Sequence, residues 1–198
     1  MLFRSIGRTD LLQQTITAGL PVTNTITGDV FNTRNISDSP INWRLDRLST
    51  APATYLGWYV NLPTNGEKQV TDPLLREGRI IFTTLSPGTD ACNPGGTGWL
   101  MELDSANGGR IDETLDLNGD GVFNSLDGGG SNYGAAGAQS TSGGSLSNPI
   151  VLTNPDGPPP PGGPRYSETK LVVTSTGKVI SMKESGTPNA PEAWRQLK

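Results

Sequence analysis

Arg79-Ile80-Ile81-Phe82-Thr83-Thr84-Leu85 and, beyond a Gly/Pro/Asn loop, Gly98-Trp99-Leu100-Met101-Glu102-Leu103-Asp104 decide the fold. The first run is rich in β-branched residues and carries no polar face, the pattern of a strand buried on both sides. It follows the turn Glu77-Gly78. Upstream, Gly57-Trp58-Tyr59-Val60-Asn61-Leu62-Pro63 is strand-like, and Asn65-Gly66 predicts a hairpin into Glu67-Lys68-Gln69-Val70-Thr71. Strands at roughly ten-residue spacing are the rhythm of sandwiches, barrels and propeller blades. The expected class is therefore all-β, built of antiparallel meanders.

The flanks extend this reading. Thr169-Lys170-Leu171-Val172-Val173-Thr174, a Ser175-Thr176-Gly177 turn and Lys178-Val179-Ile180-Ser181-Met182 predict a second hairpin. Thr9 or Asp10 is placed to cap a short helix over 11–14, ahead of a β-like Thr15-Ile16-Thr17, and residues 21–50 read as short edge strands and loops. Residues 128–164 hold 10 of the 26 Gly and 7 of the 16 Pro, with Asp156 as the one charge. They read as a flexible Gly/Ser/Pro surface insertion, stiffened by Pro158-Pro159-Pro160-Pro161 and containing one strand at Pro149-Ile150-Val151-Leu152.

Composition excludes several functions. Gly and Pro at this level disfavour a helical bundle, since Gly costs helix entropy and Pro removes a donor. A net charge of −4 and a pI near 4.8, with no basic cluster, argue against nucleic acid and anionic membranes. With no His, neither a Ser-His-Asp triad nor a His-ligated zinc can be built from this chain. Cys92 is the single cysteine, either a small buried hydrophobe or half of a bridge to something outside the chain. No apolar run approaches a membrane span, and no export signal is evident.

One constellation carries chemistry. Asp116-Leu117-Asn118-Gly119-Asp120-Gly121-Val122-Phe123-Asn124-Ser125-Leu126-Asp127 puts oxygen ligands at positions 1, 3, 5, 9 and 12 of a twelve-residue loop, with Gly at position 6. This is the spacing of an EF-hand-type Ca2+ loop, with Asp in place of Glu at the end. A hard cation of calcium's size takes 6 to 8 oxygens, so alternate side chains must converge while the backbone wraps round them. Asp116, Asn118, Asp120, Asn124 and Asp127 would supply side-chain oxygens and Val122 its carbonyl, with Gly121 permitting the turn. Gly128-Gly129-Gly130 cannot continue a helix, so the usual exit helix is not expected.

Other candidates carry less. Trp43, Trp58, Trp99 and Trp194 read as core or inter-blade filler rather than a sugar platform. Asp112 and Glu113 are adjacent and cannot face each other across a substrate, and Gly95-Gly96-Thr97-Gly98 lacks the Lys and helix of a phosphate loop.

Leu11 to Thr17, Gly57 to Pro63 with Gly66-Glu67, Val70-Thr71-Asp72-Pro73-Leu74-Leu75-Arg76 and Gly78 to Leu85 together resemble the C-terminal part of the PilY/PilC proteins of type IV pili. Gly98 to Asp104 with Asn107-Gly108-Gly109-Arg110, the loop after it and the closing Trp194-Arg195-Gln196-Leu197 continue the match in the same order. The resemblance implies a modified β-propeller at the pilus tip or bacterial cell surface, which promotes pilus assembly, counters retraction and mediates adhesion, with calcium linked to that control. It implies minor pilins at the tip, the remainder of the propeller, and a host or abiotic surface as partners. Eight to ten strands make two or three blades, so the chain is expected to be the C-terminal portion of a longer protein.

Two other classes compete. A calcium-dependent docking module is suggested by the likeness of the loop to dockerin repeats, which carry two loops, each followed by a helix. A quinoprotein-like enzyme is suggested by Leu103-Asp104 followed by Asn107-Gly108-Gly109-Arg110, although no residues for a quinone site are evident. The expectation is a non-enzymatic module.

Overall fold

The computed structural model describes residues 7–41, 55–88, 95–112, 114–130, 133–153 and 166–185. In chain order the strands are β1 (Leu12–Gln14), β2 (Ile16–Ala18), β3 (Val22–Thr23), β4 (Val30–Ile36), β5 (Trp58–Val60), β6 (Lys68–Gln69) and β7 (Leu74–Arg76). They continue with β8 (Arg79–Ser86), β9 (Thr97–Asp104), β10 (Leu115–Asp116), β11 (Gly137–Ser140), β12 (Ile150–Thr153), β13 (Tyr166–Val173) and β14 (Val179–Ser185). The all-β expectation holds, with fourteen strands among the described residues where eight to ten were expected.

An eight-stranded sheet runs β2-β4-β11-β9-β8-β6, with β3 also on β4 and β7 also on β8. β8 and β9 pair antiparallel along their whole length, from Arg79 opposite Asp104 to Ser86 opposite Thr97. Ile81, Phe82, Thr83 and Thr84 are all buried, so this strand is covered on both faces as its β-branched run predicts. On one face Ile81 and Leu100 join Leu115, Val172, Ile180 and Met182 in a core shared with a four-stranded sheet, β10-β14-β13-β12. On the other, Phe82, Met101 and Leu103 pack with Ile36, Trp58 and Val60. The β13–β14 hairpin forms about the predicted turn, with Val173 opposite Val179 and a positive φ of 86° at Gly177. The β7–β8 hairpin turns at Glu77-Gly78, where both residues have positive φ, the geometry of a tight primed turn.

Several local expectations are overturned. The helix expected over 11–14 is strand β1, preceded by a single 3-10 turn at Arg8–Asp10. Burial alternates along it, and Gln14 is fully enclosed, donating to the Ser39 and Asn107 carbonyls at 2.8 and 2.9 Å while accepting from Ser37. The predicted hairpin 57–71 does not form, because β5 pairs parallel with β1 and β6 adds to β8. The reason lies at Glu67, which follows the Asn65-Gly66 turn. Its carboxylate is drawn inward to hold the Arg34 guanidinium at 2.7 and 2.8 Å, with Thr84 donating at 2.5 Å. Nor is β4 an edge, since β2, β3 and β11 all pair with it.

The largest correction concerns 128–164. Within it, β11 lies in the middle of the eight-stranded sheet between β4 and β9, and Ala135, Ala136 and Ala138 are buried. The small residues read as part of a flexible insertion are what let a strand fit there. A Cβ on Gly137 would stand 2.4 Å from the Met101 sulfur. The strand expected at 149–152 is present as β12, shifted by one residue to Ile150–Thr153. The proline run at 158–161, Cys92, Trp43, Trp194 and the closing residues lie outside the described residues.

Between the two sheets sits a group of charges with no counterpart in the expectations. Glu102 on β9, Lys170 on β13 and Glu184 on β14 are buried, and Arg79 on β8 reaches them. Lys170 pairs with both glutamates, and Arg79 pairs with Glu102 at 2.8 Å and with Glu184.

Candidate metal centre

β10 starts the twelve-residue loop at the edge of the four-stranded sheet, with Leu115 opposite Glu184 and Asp116 opposite Lys183. A single 3-10 turn, Ser125–Asp127, returns the chain, and Gly128 closes it in the left-handed region at φ 83°. No exit helix follows among the described residues. Asp116 is 3% exposed and Asp127 is wholly buried, so the first and last loop positions lie inside the protein while Asp120 faces solvent.

The loop is organised by its own backbone amides. Asp116 accepts from Gly119 at 2.7 Å with one oxygen and from Gly121 at 3.1 Å with the other. Asp127 accepts from Leu117 and Asn118 at 2.8 and 3.2 Å, and from Asn124 at 3.1 Å. Asp120 accepts from the Val122 amide at 2.7 Å and from the Asn118 side chain at 2.9 Å. Asn118 accepts from the Asp120 amide and Asn124 from that of Leu126. Burial pushes the Asp127 carboxyl up to about 6; the three amide bonds oppose that rise, and the Asp116 charge adds to it.

The structure thus brings Asp116 and Asp127 together in the interior and leaves Asn118, Asp120, Val122 and Asn124 on the rim. Among the described residues no three or more His, Cys, Asp or Glu side chains gather into a metal-holding group, so the carboxylates alone do not make a cage. The donor set nevertheless fits calcium. Carboxylate, amide and carbonyl oxygens are the hard ligands this ion takes, and a side-chain oxygen that accepts one N–H retains a second lone pair. A buried carboxylate whose bonds are all to neutral amides, beside a second negative charge, is in surroundings that favour a cation.

Residues outside the loop also hold it. Asn24 donates from its side chain to the Leu117 carbonyl at 3.1 Å, and Thr25 donates to that of Asn118 from its amide at 2.8 Å and its hydroxyl at 3.0 Å. The Gly128 carbonyl accepts from Thr33 at 3.0 Å, and that of Asp127 accepts from the Ala135 amide at 3.2 Å. Sequence reasoning missed these, for nothing in a Thr/Asn-rich turn says which distant carbonyl it will meet. Trp58 and Trp99 pack as filler, as expected: both are half-buried, and the Arg34 guanidinium stacks 3.9 Å above the Trp99 ring.

No protein-family model matches the chain. Curated relatives do. The type IV pilus biogenesis factor PilY1 homolog of Xylella fastidiosa (strain Temecula1) is 39% identical over 82 residues, 37% of this chain and 6% of that protein. Type IV pilus biogenesis factor PilY1 of Pseudomonas aeruginosa (strain UCBPP-PA14) is 33% identical over 131 residues, 61% of this chain and 11% of that protein. Over these stretches the chain is similar to PilY1 proteins. Its fold is that of the crystal structure of the Pseudomonas aeruginosa PilY1 C-terminal domain, with a TM-score of 0.59 at 22% identity over 93% of this chain and 33% of that one. The PilY/PilC resemblance read from the ordered stretches above is therefore confirmed. The chain spans only about a tenth or less of the curated relatives it matches. Those relatives are named as biogenesis factors, not as enzymes. Among the described residues no helix is long and apolar enough to cross a membrane.

Proposed function

We propose that this chain is a calcium-binding, non-enzymatic module of a type IV pilus assembly and tip adhesin protein, acting at the bacterial cell surface or pilus tip. The similarity of more than half of the chain to type IV pilus biogenesis factors carries the pilus part of this reading. The loop carries the calcium part. Asp116, Asn118, Asp120, Asn124 and Asp127 would hold the ion with the Val122 carbonyl, and the ion's positive charge would offset the negative charge gathered in the loop. Because β10 enters the four-stranded sheet and Ala135, bonded to Asp127, leads into β11, closure of the loop ties the two sheets together. That rigidity suits a module that resists force while the pilus extends and retracts, with minor pilins, the remainder of the protein and a host or abiotic surface as its partners.

Calcium titration by calorimetry on the wild type and Asp120→Ala tests the reading. Asp120 is exposed, so its loss removes a ligand and leaves the buried pair in place. One saturable site in the wild type, weakened in the variant, is expected, with about 2.7 kcal/mol of added stability at one hundred times Kd. In the full-length protein the same substitution is expected to make surface piliation insensitive to calcium. A folded wild type that gives no heat with calcium overturns the site.

A further inference from the structure

The β3–β4 turn lies against the loop at two points, and both are carbonyls of peptide units whose N–H groups hold the buried carboxylates. A trans peptide is planar, with its C=O and N–H pointing in opposite directions. The Leu117 carbonyl is turned toward the Asn24 side chain, and the N–H of the same unit, on Asn118, points to Asp127. The Asn118 carbonyl is turned toward Thr25, and the N–H of that unit, on Gly119, points to Asp116 at 2.7 Å. Rotating either peptide away from the turn would swing its N–H off the carboxylate. Gly119 adopts φ 78° beneath Asn24, and a Cβ there would stand 3.0 Å from the Asn24 oxygen.

We infer that Asn24 is a positioning residue for the cation loop, which together with Thr25 locks the two peptide planes that aim Asp116 and Asp127, so that ion binding and the β3–β4 turn are coupled. The inference rests on the loop being the calcium site. Asn24 is built for the task, because its oxygen is already committed. That oxygen accepts from the Ile26 and Thr27 amides at 3.0 Å each and shapes the turn, leaving the amide nitrogen to reach Leu117. The turn is anchored from behind by Asp29, which pairs with Lys178 at the tip of the β13–β14 hairpin. Coupling of this kind is reciprocal, so what the turn does for calcium, calcium must do for the turn.

The test uses the full 198-residue chain, with calcium as the probe. Asn24→Asp keeps the oxygen that caps the turn, removes the donor to Leu117 and adds a negative charge. Charge alone would tighten cation binding, so weaker binding isolates the lost peptide lock. Asn24→Ala removes both functions. Both variants are expected to raise the calcium Kd about fivefold, the scale of one hydrogen bond. In the wild type, calcium is expected to slow amide exchange at Thr25, which lies outside the loop. A merely structural role lowers the melting temperature of the calcium-free variants and leaves Kd and the calcium-induced shift unchanged. That result, or Thr25 exchange indifferent to calcium in a wild type that binds it, overturns the inference. A wild type that binds no calcium is recognised without either variant, and it removes the site along with the lock.

Discussion

Replacing Glu184 by Gln probes the charges buried between the two sheets. Glu184 is 2% exposed, in contact with Lys170 and Arg79 and beside Glu102. Burial and the charge on Glu102 push its carboxyl up to about 8. At Glu102 burial works in the same direction, but Lys170, the hydrogen bond from Glu184 and Arg79 outweigh it and hold that carboxyl down to about 2. The pair therefore carries one proton near neutrality, seated on Glu184. A carboxyl whose folded value is raised keeps its proton after the unfolded chain, at 4.5, has lost it. Its contribution to stability is complete below about 4.5 and disappears as pH rises through 8. From pH 6 to 8 the wild type should lose about 2 kcal/mol from this group, a large share of a typical total of about 5–15. Gln is a neutral donor in the same place, so Glu184→Gln should match the wild type at pH 6 and exceed it by about 3 kcal/mol at pH 9. Urea unfolding followed by tryptophan fluorescence at both pH values measures this, and the contribution of Asp127 cancels between the two proteins. The absence of His keeps the window free of imidazole titration. A variant several kcal/mol weaker at pH 6, with the pH slope of the wild type, would refute the reasoning and make Glu184 an ionised partner of Arg79 and Lys170.

Two further outcomes follow from the same geometry. Arg34→Met strands the Glu67 carboxylate, whose side chain is 0% exposed, and removes the guanidinium stacked on Trp99. A loss of about 3–5 kcal/mol in chemical unfolding is expected, recovered in large part by adding Glu67→Gln. Glu77 adopts φ 47°, a conformation costing an L-residue about 1–2 kcal/mol, so Glu77→Gly should gain roughly 0.5–1 kcal/mol after its unfolded-state entropy is counted. A melting temperature about 2 °C higher would show it.

The β8–β9 pair, the β13–β14 hairpin and the all-β class were legible because side-chain periodicity and turn chemistry act over a few residues. The candidate cation loop is proposed on the same local grounds, since a loop of this kind is a wrapping of twelve residues whose spacing sets its geometry. The PilY/PilC resemblance was legible as an ordered set of short stretches, and the relatives confirm it.

What the tertiary structure decided were the matters that depend on distant partners. Gly137–Ser140 looks like linker from its composition and is a central strand because β4 and β9 flank it, with Met101 leaving no space for a Cβ at Gly137. Leu12–Gln14 is a strand because Trp58–Val60 lies alongside it, and Glu67 turns inward because Arg34 is buried opposite. The charges of Arg79, Glu102, Lys170 and Glu184, and the reach of Asn24 to Leu117, join elements separated by 23 to 105 residues. Local patterning determines which backbone conformations are favourable, whereas the desolvation of a charge or the aim of a carbonyl is settled by whichever group packs against it.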